Sequence, residues 1–188
     1  MLMRRTFFAR FLTIIVLAYV PQLNAAEWTL TPATQITFGI KSVGLSVVEG
    51  RFNKVQSDLK FDPEIPQKGT AQLRLDVDSM SFSKPSLKGL ILGSEFFDAE
   101  EFKHVKFTSR QIKPIAYGRY QITGDLTIRG VTKLVSFDTL MNPNPNNPRL
   151  MDIHSNTTIQ RSDFGMRKAL GGVGEQVIIQ LKGQWQAY

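Results

Sequence analysis

Apolar and polar residues alternate with a period of two along most of this chain, the repeat of a strand that buries one face and wets the other. The longest run places Tyr120, Ile122, Leu126 and Ile128 on one parity and Arg119, Gln121, Thr123, Asp125, Thr127 and Arg129 on the other. Gly124 interrupts the apolar parity where a strand bends or bulges, and Gly130 marks a turn, after which Val131, Val135 and Phe137 resume the alternation. Leu126 and Ile128 are therefore expected inward, and Asp125, Thr127 and Arg129 toward solvent. Upstream, strands are predicted at Trp28 and Leu30, at Ile36, Phe38 and Ile40, from Val43 to Phe52, and through Val55, Ser57, Leu59 and Phe61. Ala71, Leu73, Leu75 and Val77 then alternate strictly with Gln72, Arg74, Asp76 and Asp78. Downstream, Val105 and Phe107, then Met151, Ile153 and Ile159, then Val177, Ile179, Leu181 and Trp185 complete the series.

One stretch breaks the pattern. Pro85 starts a predicted helix in which Leu87, Leu90 and Ile91 recur at helical spacing, and Gly93 ends it. Phe96, Phe97 and Phe102 follow within seven residues, so Ser83–Glu101 reads as a short helix and an aromatic crossover. Pro63, Pro66 and Gly69 form a turn, 142–148 is a loop rich in proline and asparagine, Arg161–Met166 is a corner, and Gly171–Gly174 is a glycine loop. The total is about eight or nine strands in meander order. Such strands make a two-sheet sandwich or an up-and-down barrel, and about eight strands close around a packed core or one small ligand.

Composition narrows the classes. The 188 residues are 42% hydrophobic and 21% charged, as expected for one globular domain. With no cysteine, disulfides, thiolate metal sites and cysteine nucleophiles are excluded. Arg4, Arg5 and Arg10 precede the apolar run 11–20, Pro21 breaks it, and small residues close it at Asn24–Ala26. This is the order of a secretory leader, with cleavage expected after Ala25 and residues 26–188 as the mature domain. The run is about half the roughly 20 residues of a spanning helix, which makes a retained anchor the weaker reading. Removing the leader lowers the net charge from +7 to +4. That charge is scattered, without the clustered basic patch and interleaved aromatics of nucleic-acid binding. The two histidines, His104 and His154, lie on polar parities. Asp152 shares a face with His154, which alone is a weak metal site. No nucleophile elbow is present, and Asp163-Phe164-Gly165 lacks every other kinase motif.

Four ordered motifs carry a resemblance: Gly93-Ser-Glu-Phe-Phe-Asp-Ala99, Phe107-Thr-Ser109, Gly124-Asp-Leu-Thr-Ile-Arg-Gly-Val-Thr-Lys133 and Arg161-Ser-Asp-Phe-Gly-Met166. With Trp28 and Val48-Glu-Gly-Arg-Phe52, they make the mature chain similar to the YceI-like family throughout. His104 departs from the proline usual there, which bears on a turn. The resemblance implies an all-β, antiparallel, lipocalin-like barrel with one short helical insert. It further implies a periplasmic protein without catalytic residues or cofactor, whose ligand is an isoprenoid lipid, a quinone or a related amphiphile. The expected contacts are Phe38, Phe52, Leu75, Leu87, Leu90, Phe96, Phe97, Phe107, Leu126, Ile128, Phe137, Ile153, Phe164 and Ile179, with Arg161 beside the head group.

The residues alone leave alternatives open. Alternation serves a filled core and a pocket equally. The aromatic crossover either gates the mouth or plugs it. Arg161 either meets a phosphate or pairs with an aspartate to brace the corner, and Lys88, Arg167 and Lys168 are further loop cations. Glu49, Asp98 and Glu100 are carboxylates in or beside apolar surroundings. Besides lipid binding, two other readings fit. One is an accessory module of a membrane quinone-linked redox system, in transient contact with the inner-membrane surface or a redox protein. The other is a lipid-modifying enzyme.

Overall fold

The computed structural model describes residues 26–42, 45–166 and 174–188. The expected leader, Val43, Arg167, Lys168 and most of the 171–174 loop lie outside them. The described strands are β1 (Ala26–Leu30), β2 (Gln35–Ser42), β3 (Leu45–Phe52), β4 (Val55–Phe61), β5 (Thr70–Asp76), β6 (Met80–Phe82), β7 (His104–Ala116), β8 (Arg119–Ile128), β9 (Val131–Pro143), β10 (Leu150–Gln160) and β11 (Gln176–Ala187). Among the described residues one α-helix, α1 (Lys88–Leu92), lies between β6 and β7.

These eleven strands make eight staves. β1 and β2 lie end to end along one edge of β11. β4 and β3 pair along β1 and β2, and β5 and β6 along β4 and β3. β5 continues to β7, and β7 to β11 pair in chain order. Because β1 also pairs with β11, the antiparallel sheet closes into an up-and-down barrel. Closure leaves few strand edges to solvent.

The three breaks have local causes. Inward residues are even in β3 (Val48, Gly50, Phe52) and odd in β4 (Leu59, Phe61), and the parity flips again between Leu75 and Met80. A strand cannot change parity without an extra residue or a turn. Both flips sit at one level, pinned by the Ser79 hydroxyl, which accepts the N–H groups of Asn53 (3.2 Å) and Lys54 (3.0 Å) and donates to the Asp76 carbonyl (2.7 Å). The third break, between β1 and β2, packs Thr34 onto Gly183, where an added Cβ would lie 2.5 Å from the Thr34 Cα.

Gly124 is explained by close approach. A Cβ there would meet the Thr108 carbonyl oxygen at 2.4 Å and the Phe107 ring at 2.7 Å. Opposite it, the register slips between Ser109 and Gln111, so the bulge lies in β7 while the glycine lies in β8. The skipped residue, Arg110, ion-pairs outside with Asp125 at 2.8 Å. Gly124→Ala is expected to lower unfolding stability by about 2 kcal/mol, since one neighbour is backbone and cannot swing away. A denaturant titration reads this as a lower midpoint at unchanged slope.

Turns 62–69, 117–118 and 144–149 gather at one end of the barrel with Ala26 and Tyr188. The ends of β2 and β3 at Ser42 and Leu45, the 83–103 insert, the Arg129–Gly130 turn, Arg161–Met166 and Gly174–Glu175 gather at the other. The aromatic crossover and Arg161–Met166 thus lie at one end.

Candidate functional site

Inside the barrel is a cavity of about 100 Å³ lined by side chains from the staves and the insert. On a scale where one water-sized group needs roughly 10–15 Å³, it has room for on the order of seven to ten such groups. Twelve of the fifteen expected contacts line it: Phe38, Phe52, Leu75, Phe96, Phe97, Phe107, Leu126, Ile128, Phe137, Ile153, Ile179 and Arg161. Phe38 organises the wall near the insert. Its ring centroid lies 5.9 Å from Phe52 and 5.8 Å from Phe97, offsets favoured by aromatic quadrupoles. Gly50 makes this possible, because a Cβ there would overlap the Phe38 ring. Phe107 and Phe137 form an edge-to-face pair at 5.1 Å.

Three expected contacts do not line the cavity. Leu87 and Leu90 pack partly buried on the outer side of the core, and Ile91 takes the inward place. The reason is pitch. Pro85–Leu87 is a 3-10 turn, and only Lys88–Leu92 is α-helical, so α-helical spacing does not carry across the junction. Phe164, 1% exposed, packs in the core away from the cavity, because Arg161–Phe164 is itself a 3-10 turn that turns Arg161 inward. Leu59, Ala71, Leu73, Ile122, Leu181 and Trp185, not among the expected contacts, also line it. All six lie on inward parities, so the alternation held the signal.

The insert is fastened over this end. Phe96 and Phe97 are buried, and both reach the cavity. Asp98 and Arg129 are the two non-glycine residues with positive φ among the described residues, +50° and +51°, and they form an ion pair at 3.9 Å. Arg129 and Gly130, at φ +71°, make the two-residue turn between β8 and β9, with both φ values positive as in a type I′ turn. That turn redirects Arg129, expected in solvent, across the mouth, where it also donates to the Gly165 carbonyl at 3.0 Å. Phe102 sits over Gly130, where a Cβ would lie 2.8 Å from its ring. One arginine therefore ties together the insert, the hairpin and the corner.

Arg161, 4% exposed, is a brace. Its guanidinium donates to the carbonyls of Met166 and Gly174, pairs with Glu175 at 3.5 Å, and stands 6.0 Å over the Phe96 ring. The expected partner Asp163 is exposed, and Glu175 fills that role instead. Partial burial pushes the Glu175 carboxyl up, but the hydrogen bond from the Ser162 N–H (2.7 Å) and the Arg161 charge hold it below its ordinary value of 4.5. A depressed folded pKa contributes stability above the unfolded value, lost as pH falls through the folded one. The contact of Arg161–Met166 with Glu175 should therefore loosen below about pH 4.5, read as faster amide exchange at Ser162 and Met166. Glu175→Gln should flatten that dependence.

Asp152 accepts from Asn144 and Gln184, and His154 is exposed. Among the described residues no three histidine or carboxylate groups converge. Of the other carboxylates beside apolar surroundings, Glu49 and Glu100 are exposed.

Residues 28–185 match the YceI-like domain. A UPF0312 protein of Yersinia enterocolitica is 28% identical over 159 residues, covering 81% of this chain and 82% of that protein. A UPF0312 protein of Pseudomonas putida is 26% identical over 152 residues, covering 78% and 79%. Among solved structures, BcnA of Burkholderia cenocepacia is 25% identical with a TM-score of 0.75, covering 83% of this chain and 98% of that one. A polyisoprenoid binding domain from Saccharophagus degradans shares the fold at 13% identity, with a TM-score of 0.65 and coverage of 87% and 99%. With the matched region spanning all eight staves and the insert, this chain belongs to the YceI-like domain family.

Proposed function

We propose that this protein is an exported carrier or holder of an isoprenoid lipid, a quinone or a similar amphiphile, whose tail lies in the barrel. The observation that carries this reading is the cavity: its wall is apolar except for Ser155, Arg161 and the Trp185 indole N–H. The shared fold with a polyisoprenoid binding domain supports it. The charged, apolar and small-residue order of residues 4–26 supports export to the periplasm. No catalytic group or cofactor enters this reading. One five-carbon isoprene unit buries about 4 kcal/mol of transfer free energy at about 0.8 kcal/mol per carbon, before ordering costs. The cavity volume corresponds to on the order of two such units.

Native mass spectrometry of gently purified protein, followed by solvent extraction, tests this. Retained prenyl lipid or quinone is the expected result; a barrel that stays empty and fails to take up added prenyl lipid sinks the proposal. In the same assay Arg129→Gly should release lipid several-fold faster. It keeps the positive φ of the turn while removing the clasp, so stability should change by no more than about 1 kcal/mol.

A further inference from the structure

The end of the barrel opposite the clasp is closed by aromatic side chains. Phe61, 1% exposed, stands edge-to-face with Tyr120 at 5.3 Å and with Trp185 at 6.2 Å. Both tryptophans of the chain belong to this end, and both are buried. Their N–H groups differ. Trp28 donates to the Phe61 carbonyl at 3.1 Å. Trp185 lines the cavity and is 2% exposed, yet its buried Nε1 has no acceptor among the described residues.

A buried N–H without a partner is rare in folded proteins and costly, because the hydrogen bond it made to water is lost without replacement. The other polar side chains on the cavity wall do not share this condition. Ser155 is bonded to Thr139 at 2.7 Å, and Arg161 to the Met166 and Gly174 carbonyls. Indole can donate but not accept. Its complement is an acceptor, and the chamber it borders otherwise suits hydrocarbon.

We infer that the Trp185 N–H is a docking point for a carbonyl oxygen on the inner end of the bound amphiphile, such as that of a quinone ring, an amide or a ketone. This rests on the lipid-binding reading and adds an orientation to it: the carbonyl end enters first, and the hydrocarbon runs back toward the clasp. The packing around the indole can adjust to a polar group. Met151 is the cross-strand partner of Trp185, Met141 is the partner of Ile153, and both are buried. Unbranched thioethers repack readily around irregular shapes.

The test uses the folded barrel with 15N-labelled indoles, farnesylacetone, and the hydrocarbon in which its C=O is replaced by CH2. Trp28, already bonded, is the internal reference, and Trp185→Phe assigns the second indole signal by its loss. On adding the ketone, the Trp185 indole proton should move downfield while that of Trp28 stays. The hydrocarbon should bind without that shift. The wild type should prefer the ketone by about tenfold, the scale of one hydrogen bond, and Trp185→Phe, which keeps an aromatic ring, should lose the preference. Ketone binding without a downfield shift overturns the inference, as does an unchanged preference in Trp185→Phe. So does a Trp185 signal already downfield before ligand and unmoved by it, the mark of a bound water. If neither ligand binds the wild type, the lipid-binding reading itself falls.

Discussion

Ala71→Phe is expected to reduce lipid retention at least a hundredfold while leaving the barrel folded. Ala71 is buried on β5, lines the cavity and faces Leu59 across the sheet. The substitution adds a six-carbon ring to a space for on the order of seven to ten water-sized groups. Displacing five or six ligand carbons at about 0.8 kcal/mol each removes about 4 kcal/mol of transfer free energy, more than two decades of affinity even after partial accommodation. Stability should change by about 1 kcal/mol or less, because the ring occupies a void instead of displacing packed atoms. Displacement of a fluorescent fatty acid, with a denaturant titration beside it, separates the two effects. Leu134→Ala, at an exposed position on β9, is the control and should bind normally. Full retention by a folded Ala71→Phe protein would mean that the ligand sits elsewhere.

The second large effect is at the mouth. Arg161→Met should cost about 3 kcal/mol of stability, the scale of leaving two buried or part-buried carbonyls without their charged donor. The methionine replaces the stem but not the guanidinium, leaving the Met166 and Gly174 carbonyls without that donor and Glu175 without its cation. For a domain of this size the melting temperature should fall by roughly 6–12 °C. The same variant separates brace from ligand contact. As a brace, Arg161 affects prenyl alcohols and prenyl phosphates alike, so their affinity ratio should match that of the wild type. A selective loss of phosphate binding would return Arg161 to the role of head-group contact.

Much of the barrel could be read from the chain. Inward and outward positions in Arg119–Ile128 and Gln176–Ala187 follow from parity, since a pleated strand has one alternation and one buried face. Gly124 announced an irregularity, although the bulge formed in the facing strand, where sequence carries no marker. The strand count of eight or nine fell between eleven short strands and eight staves. The parity flips at Asn53–Lys54 and Val77–Ser79 signal breaks, but only the pairing of β3 with β6 and β4 with β5 shows that broken pieces continue one stave.

By itself the sequence determined the strand-rich class, the apolar interior, the position of the insert and the family motifs. All of these depend on residue type and near-neighbour spacing. The tertiary structure decided closure, because it depends on β1 meeting β11 across more than 150 residues of chain. It also decided that the barrel keeps a cavity, since residual volume depends on how all eight walls pack and alternation is identical for filled and hollow interiors. Arg129 is only partly exposed because the left-handed turn redirects its side chain toward Asp98 and Gly165. Arg161 became a brace because residues 166, 174 and 175, not its neighbour Asp163, surround its guanidinium. The unpaired N–H of Trp185 is of the same kind, since a donor is satisfied or orphaned only by what folding places beside it.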